Sequence, residues 1–369
     1  MTRGFSLYLD VLRSLAAVVV LISHMGYPRF TDGRWLWVRE LNLGSDAVVV
    51  FFVLSGLVIA FTAQTKDRNI DAFLFARFTR IVSVALPALI IGFALDRFGA
   101  HLFADFYALG WYQPLPFFEQ LLRGLSFSNE WSGMETRLGT NGPYWSLSYE
   151  VAYYAIFAMI YYLRGPLRVV LVFVAVLAVG LNIMLLAPCW LIGVVLWHRI
   201  KQGREMHREF ARALFFLPIL LYAIALAVDL PAVLLQVTQI AMGLEGLRFS
   251  DEFIWNWLLA IGVGFHLMGA FCLFQNEPEA QRSVWIKWLA GGSFSLYLMH
   301  YPLLQFLKPA LPESGLPLLD DGILFAVTVL LCLAFAQIFE RTLSKQRLLL
   351  QNLGWQKWKN SDWREAESN

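Results

Sequence analysis

Seven ionisable side chains stand inside or at the edges of apolar runs: Arg13, His24, Asp46, Arg77, Arg80, Glu150 and His300. In a hydrocarbon surround such a group costs about 3 kcal/mol or more unless it is paired or hydrated, so each is a candidate for chemistry. Arg13 and His24 are eleven residues apart, which on an α-helix is within about 20° of three whole turns, so the spacing predicts both on one face roughly 16 Å apart. A histidine can take a proton from a hydroxyl and later return it. A carboxylate can orient the ring, and Glu150 and Asp46 are the candidates for that role. Arginine carries a planar fork of donors that matches two phosphate oxygens at once, which suits Arg13, Arg77 and Arg80 to an anionic ligand. The bland alternatives are a snorkelling Arg13 with an interfacial His24, a protonated Glu150 bonded to a neighbouring helix, a packing role for a lone intramembrane histidine such as His300, and Arg77 and Arg80 as ordinary basic loop residues.

The elements that must hold these groups are membrane helices. The 369 residues are 58% hydrophobic and only 15% charged, against roughly a quarter charged in soluble domains. This composition excludes a disordered chain, a nucleic-acid binder and a conventional cytosolic enzyme. The 14 Trp, 13 Tyr and 30 Phe suit a surface that meets lipid. Three widely spaced cysteines, Cys189, Cys272 and Cys332, provide neither a disulfide framework nor a metal site.

Stretches near the 20 residues needed to span a bilayer fall at about 7–26, 45–63, 81–98, 145–163, 167–184, 188–200, 213–229, 254–275, 290–308 and 322–341, the fifth and sixth divided at Ala187-Pro188. The pattern predicts an all-α polytopic fold of about ten transmembrane helices. With the N-terminus inside, the inner segments hold 20 Lys and Arg and the outer ones 7. Basic loops stay cytoplasmic, so both termini are expected there. Residues 1–347 read as one integral membrane domain and 348–369 as a polar, Trp-dotted cytoplasmic tail lying against the bilayer. The stretch 97–144, with Trp111, Trp131, Pro114 and Pro116, reads as a long outer connection of functional character.

The motifs around the ionisable groups resemble the acyltransferase-3 family of membrane-bound acyltransferases. Tyr8-Leu9-Asp10-Val11-Leu12-Arg13 with His24 is similar to its opening. Gly44-Ser45-Asp46 leading to Phe51-Phe52-Val53-Leu54-Ser55-Gly56 is similar to its second-helix signature. Trp145-Ser146-Leu147-Ser148-Tyr149-Glu150 and Ser295-Leu296-Tyr297-Leu298-Met299-His300 resemble two later elements. The resemblance implies a multi-pass protein of the bacterial inner membrane that moves an acyl group, usually acetyl from acetyl-CoA, to a hydroxyl of a surface or exported carbohydrate or glycolipid, with no metal. On that reading His24 is base or acyl carrier, Glu150, Asp46 and His300 assist it, and Arg13, Arg77 and Arg80 hold the acyl-CoA. The competing class is a proton-coupled secondary transporter, for which internal symmetry between two halves would speak; the sequence contains none. No motif specifies the acceptor.

Overall fold

The computed structural model describes residues 1–108, 112–134, 136–203, 206–275 and 282–352, and among these the regular structure is helical, without strands. The helices that position the site are α1 (Arg3–Met25), α2 (Leu43–Thr65), α3 (Ile70–Leu102), α4 (Phe117–Ser126), α5 (Trp145–Tyr162), α6 (Gly165–Val179), α7 (Leu181–Lys201), α8 (Arg208–Ala227), α9 (Leu230–Met242), α10 (Phe253–Leu273), α11 (Arg282–Ala290), α12 (Ser293–Ala310), α13 (Pro317–Phe339) and α14 (Leu343–Asn352). Among the described residues, seven stretches are long and apolar enough to cross a membrane: α1, α2, α3, α7, α8, α10 and the stretch Pro317–Asn352. The bundle turns apolar side chains outward, as on α6 (Phe173, Val174, Leu177) and α8 (Phe216, Leu220, Leu221). That arrangement suits lipid rather than water. Trp111 and the tail beyond Asn352 lie outside the described residues.

Several helix limits differ from the sequence expectation. The division within 167–200 falls at Gly180, whose φ of 87° no side-chain-bearing residue adopts easily, and not at Ala187-Pro188; Pro188 lies inside α7. The third helix starts at Ile70, with the Asn69 side chain accepting from the Ala72 amide at 2.8 Å, so Arg77 and Arg80 sit within it. An apolar helix absent from the ten expected segments, α9, follows α8 across Asp229. It carries Pro231 and two glutamines, which interrupt the apolar run on which the sequence reading relied.

Polar contacts fix how the helices lie. Arg13 reaches the Ala290 carbonyl and His24 reaches His300, so α1 and α12 run side by side in the same direction. We call the end carrying Met1 the near face and the end carrying His24 the far face. Asp46, at the start of α2, meets Tyr222 near the end of α8 and Trp255 near the start of α10. α2 and α10 therefore start at the far face, where α8 ends.

The closest approach is between α2 and α7. A Cβ on Gly193 would lie 2.0 Å from the Val53 carbonyl oxygen, and one on Gly56 would lie 2.0 Å from that of Trp190. Reciprocal glycines let the two backbones touch, the usual solution where helices pack in lipid. Because backbone opposes backbone, no side chain can swing aside. Gly193→Val is expected to force the helices apart and cost well over about 1–3 kcal/mol, read as a lowered unfolding temperature and poor yield in detergent. Gly322→Ala, at a helical glycine with nothing within 4 Å of the added carbon, should leave both unchanged.

Candidate active site

A cavity of about 370 Å³ opens among α1, α2, α3, α5 and α12, within the size range of small-molecule sites. Its near-face end is basic. Lys66, Arg77, Arg80 and Arg13 line it, together with Asp10. Arg13 is committed in part, donating to Asp10 Oδ1 and to the Ala290 carbonyl, each at 3.1 Å. Arg77 is committed more fully, to Asp67 at 2.8 Å and to Thr62 at 3.1 Å, and Asp67 is buried. Removing one partner of a buried ion pair costs about 3–5 kcal/mol, so Arg77 carries structure as well as charge. Arg80 and Lys66 are exposed and have no hydrogen-bond or ion-pair partner among the described residues. Lys66 escaped the sequence reading because it counted only as a loop charge that sets topology.

The deeper wall holds Glu150. Its Oε1 accepts from Ser55 at 2.7 Å and from the Tyr154 hydroxyl, and the Trp190 indole donates to Ser55 at 3.2 Å. Ser55 and Tyr154 were not singled out from sequence, although Tyr154 lies one turn beyond Glu150, where i,i+4 neighbours meet. The cavity ends at Tyr297 and Ser146, whose hydroxyls are 2.8 Å apart; Tyr297 also donates to the Pro143 carbonyl at 3.1 Å.

One turn further along α12, behind Tyr297, lies the histidine pair. His300 Nε2 and His24 Nδ1 are 3.0 Å apart, and His300 is fully buried. The neighbouring carbonyls assign the protons. His300 Nδ1 lies 2.8 Å from the Leu296 carbonyl and must donate to it, which leaves Nε2 as an acceptor. His24 Nδ1 then carries a proton shared between His300 Nε2 and the Val20 carbonyl, the latter at 3.0 Å. That leaves a lone pair on His24 Nε2, which has no hydrogen-bond partner among the described residues. The ring is held in a basic tautomer by a second histidine.

This corrects the expected orienting partner. Glu150 is engaged with Ser55 and Tyr154, and Asp46 is engaged with Tyr222 at 2.7 Å and Trp255 at 2.8 Å; neither bonds to His24. The physical reason is position. Asp46 faces α8 and α10, where it ties three helices together, and Glu150 faces the cavity on the near-face side of the Tyr297 and Ser146 contact.

Around the far-face end of α1, the Tyr301 ring packs at 4.5 Å between centroids from His24. In the connection before α5, burial pushes the Glu130 carboxyl up to about 7 against the opposing pull of Arg248 and Arg137.

Comparison with known proteins identifies the family. Residues 6–337 match the acyltransferase-3 family, described as an acyltransferase domain. The chain is also 32% identical over 167 residues to Acyltransferase MdmB of Streptomyces mycarofaciens, a match covering 42% of this chain and 40% of that protein's length. No solved structure matches. With the family match running through nearly every helix that builds the cavity and the histidine pair, the chain belongs to the acyltransferase-3 family of membrane acyltransferases.

Proposed function

We propose that the protein is an O-acyltransferase that moves an acyl group, acetyl in the simplest case, from cytoplasmic acyl-CoA to a hydroxyl of a cell-surface or exported carbohydrate or glycolipid. The observation that carries this reading is the juxtaposition, across the Tyr297 and Ser146 contact, of a cation-rimmed cavity on one side and a histidine with an open Nε2 on the other. The near face is then cytoplasmic, in keeping with the 20 to 7 distribution of Lys and Arg. On this reading α1, α2, α3, α5, α6, α7, α8, α10, α12 and α13 would be the ten crossings of a bacterial inner membrane, with α9 on the far face.

Acyl-CoA suits the cavity chemically. Its phosphates would meet Arg80 and Lys66, whose charges are uncommitted, and Arg13 and Arg77 behind them, while the narrow pantetheine arm runs inward past Glu150. The thioester carbonyl would arrive beside the hydroxyls of Tyr297 and Ser146, which can donate to its oxygen as negative charge develops. The acceptor hydroxyl gives its proton to His24 Nε2 while its oxygen attacks the carbonyl carbon. The carbon–sulfur bond then breaks, and the CoA sulfur leaves with the proton returned from His24. His300 is a positioning residue that keeps the proton on His24 Nδ1. The Tyr297 and Ser146 contact must open for the two substrates to meet.

Three outcomes test this. His24→Ala should lower acetyl transfer by about 10²–10⁴-fold with acetyl-CoA binding retained; full activity would refute the role. For the donor site, Arg80→Ala should weaken acetyl-CoA binding by about tenfold, as a charge-assisted contact is worth about 1.5–3 kcal/mol, without loss of thermal stability. Arg77→Ala should in addition lower stability, because it strands the buried Asp67. For topology, a cysteine replacing exposed Glu313 should react with an impermeant maleimide on intact cells, and one replacing exposed Gln202 should not; the reverse pattern overturns the orientation.

A further inference from the structure

The connection between α1 and α2 folds over the far-face end of α12 and brings charge and aromatic surface to His24. The Arg29 and Arg39 guanidinium carbons lie 4.3 and 3.6 Å from the ring centroid of Tyr27, and both act electrostatically on His24. Arg29 is held by Gln305 Oε1 at 3.4 Å and by the Tyr301 hydroxyl. Arg39 has no hydrogen bond or ion pair among the described residues. Nor does Arg137, which is exposed and within electrostatic reach of Tyr301. Arg29, Arg39 and Arg137 all act on Tyr301, and although Arg137 also feels the Glu130 carboxyl, such a grouping of positive charge favours a further anion.

Two buried amides lie close by Tyr301, one linked to it through Arg29 and one next in the chain to a residue that packs on its ring. Gln305, one turn beyond Tyr301 on α12, is 0% exposed and its Nε2 has no partner; Asn141 is 4% exposed and neither end of its amide has one. Asn141 is placed there through Gly142, where a Cβ would lie 3.4 Å from the Tyr301 ring. A buried amide group without a partner is costly. Such groups are the polar, orienting part of a ligand site rather than of a packed core.

We propose that this far-face cluster binds the acceptor, and that the acceptor is a sugar carrying an anionic group, a carboxylate or a phosphate, close to the hydroxyl that is acylated. Arg39 and Arg137 take the anion, the Asn141 and Gln305 amides take neighbouring hydroxyls, and the Tyr301 ring supports the sugar beside His24 Nε2. The proposal rests on the acyl-transfer reading and narrows its acceptor from carbohydrate in general to acidic or phosphorylated carbohydrate.

The test measures sugar binding to the full chain in lipid nanodiscs without CoA, so it needs no turnover. The probes are methyl glucoside, methyl glucuronoside, glucose 6-phosphate and inorganic phosphate. At least one charged sugar should bind tenfold or more tighter than methyl glucoside, and tighter than inorganic phosphate. Arg39→Gln and Arg137→Gln should each remove most of that preference while acetyl-CoA binding stays as in the parent protein; Arg137 is exposed, so its variant folds even where loss of Arg39 disturbs the loop. Asn141→Ala should weaken charged and neutral sugars alike. Equal binding of neutral and charged sugars, no binding of either charged sugar, phosphate bound as tightly as glucose 6-phosphate, or a preference surviving both arginine changes would each overturn the proposal. Failure of the acyl-transfer reading registers elsewhere, as acetyl-CoA binding that is absent or indifferent to Arg80.

Discussion

Hydrocarbon offers a polar group nothing to bond to, and the interior of this bundle is organised by that constraint. Asp46 is bonded by Tyr222 and Trp255, the Tyr8 hydroxyl meets His266, which in turn meets the Phe215 carbonyl at 2.7 Å, and Glu340 accepts from both the amide and the hydroxyl of Ser295. Each of these bonds joins different helices, so satisfying the polar groups and fixing the helix arrangement are one event. The energy per bond is modest, near 1 kcal/mol, but leaving the group unpaired costs more than the bond gains. Beside these pairs, some side chains keep spare capacity, among them Arg80 and Lys66 on the near face and His24 Nε2, Arg39, Asn141 and Gln305 toward the far face.

The parallel course of α1 and α12 links these groups. Arg13 is level with Ala290, where α11 ends just before α12, and His24 is level with His300, so the same two helices frame both the basic cavity and the histidine pair. Tyr297 stands between them on α12, facing Ser146 of α5. The Tyr297 and Ser146 contact thus closes the cavity on the side of the histidine pair, and it is the contact that the proposed reaction needs to open. The reciprocal glycines of α2 and α7 serve the same end by a different route, because their close approach holds Ser55 and Trp190 against Glu150.

Much of this was legible in the sequence because the physics involved is local. Apolar runs set which segments are helices, the periodicity of the helix put Arg13 and His24 on one face, and the rarity of charge in such runs drew attention to His24, Glu150, Asp46 and His300. The family resemblance added an ordering of motifs that periodicity alone does not supply. What the sequence could not decide is which polar group meets which. The choice of His300 over Glu150 or Asp46 as the partner of His24 depends on the packing of α12 against α1, 276 residues apart in the chain, and no local signal encodes that distance. The same holds for Lys66, whose spare charge is visible only once its neighbour Arg77 is seen to be taken by Asp67. It holds also for the break at Gly180, where a positive φ outweighed the proline at 188 because a proline inside a membrane helix is tolerated when neighbouring helices satisfy the freed carbonyl. The sequence alone determined a helical membrane protein with ionisable groups worth explaining; tertiary packing decided their partners, since in lipid a polar group takes whichever partner the helix packing brings within reach.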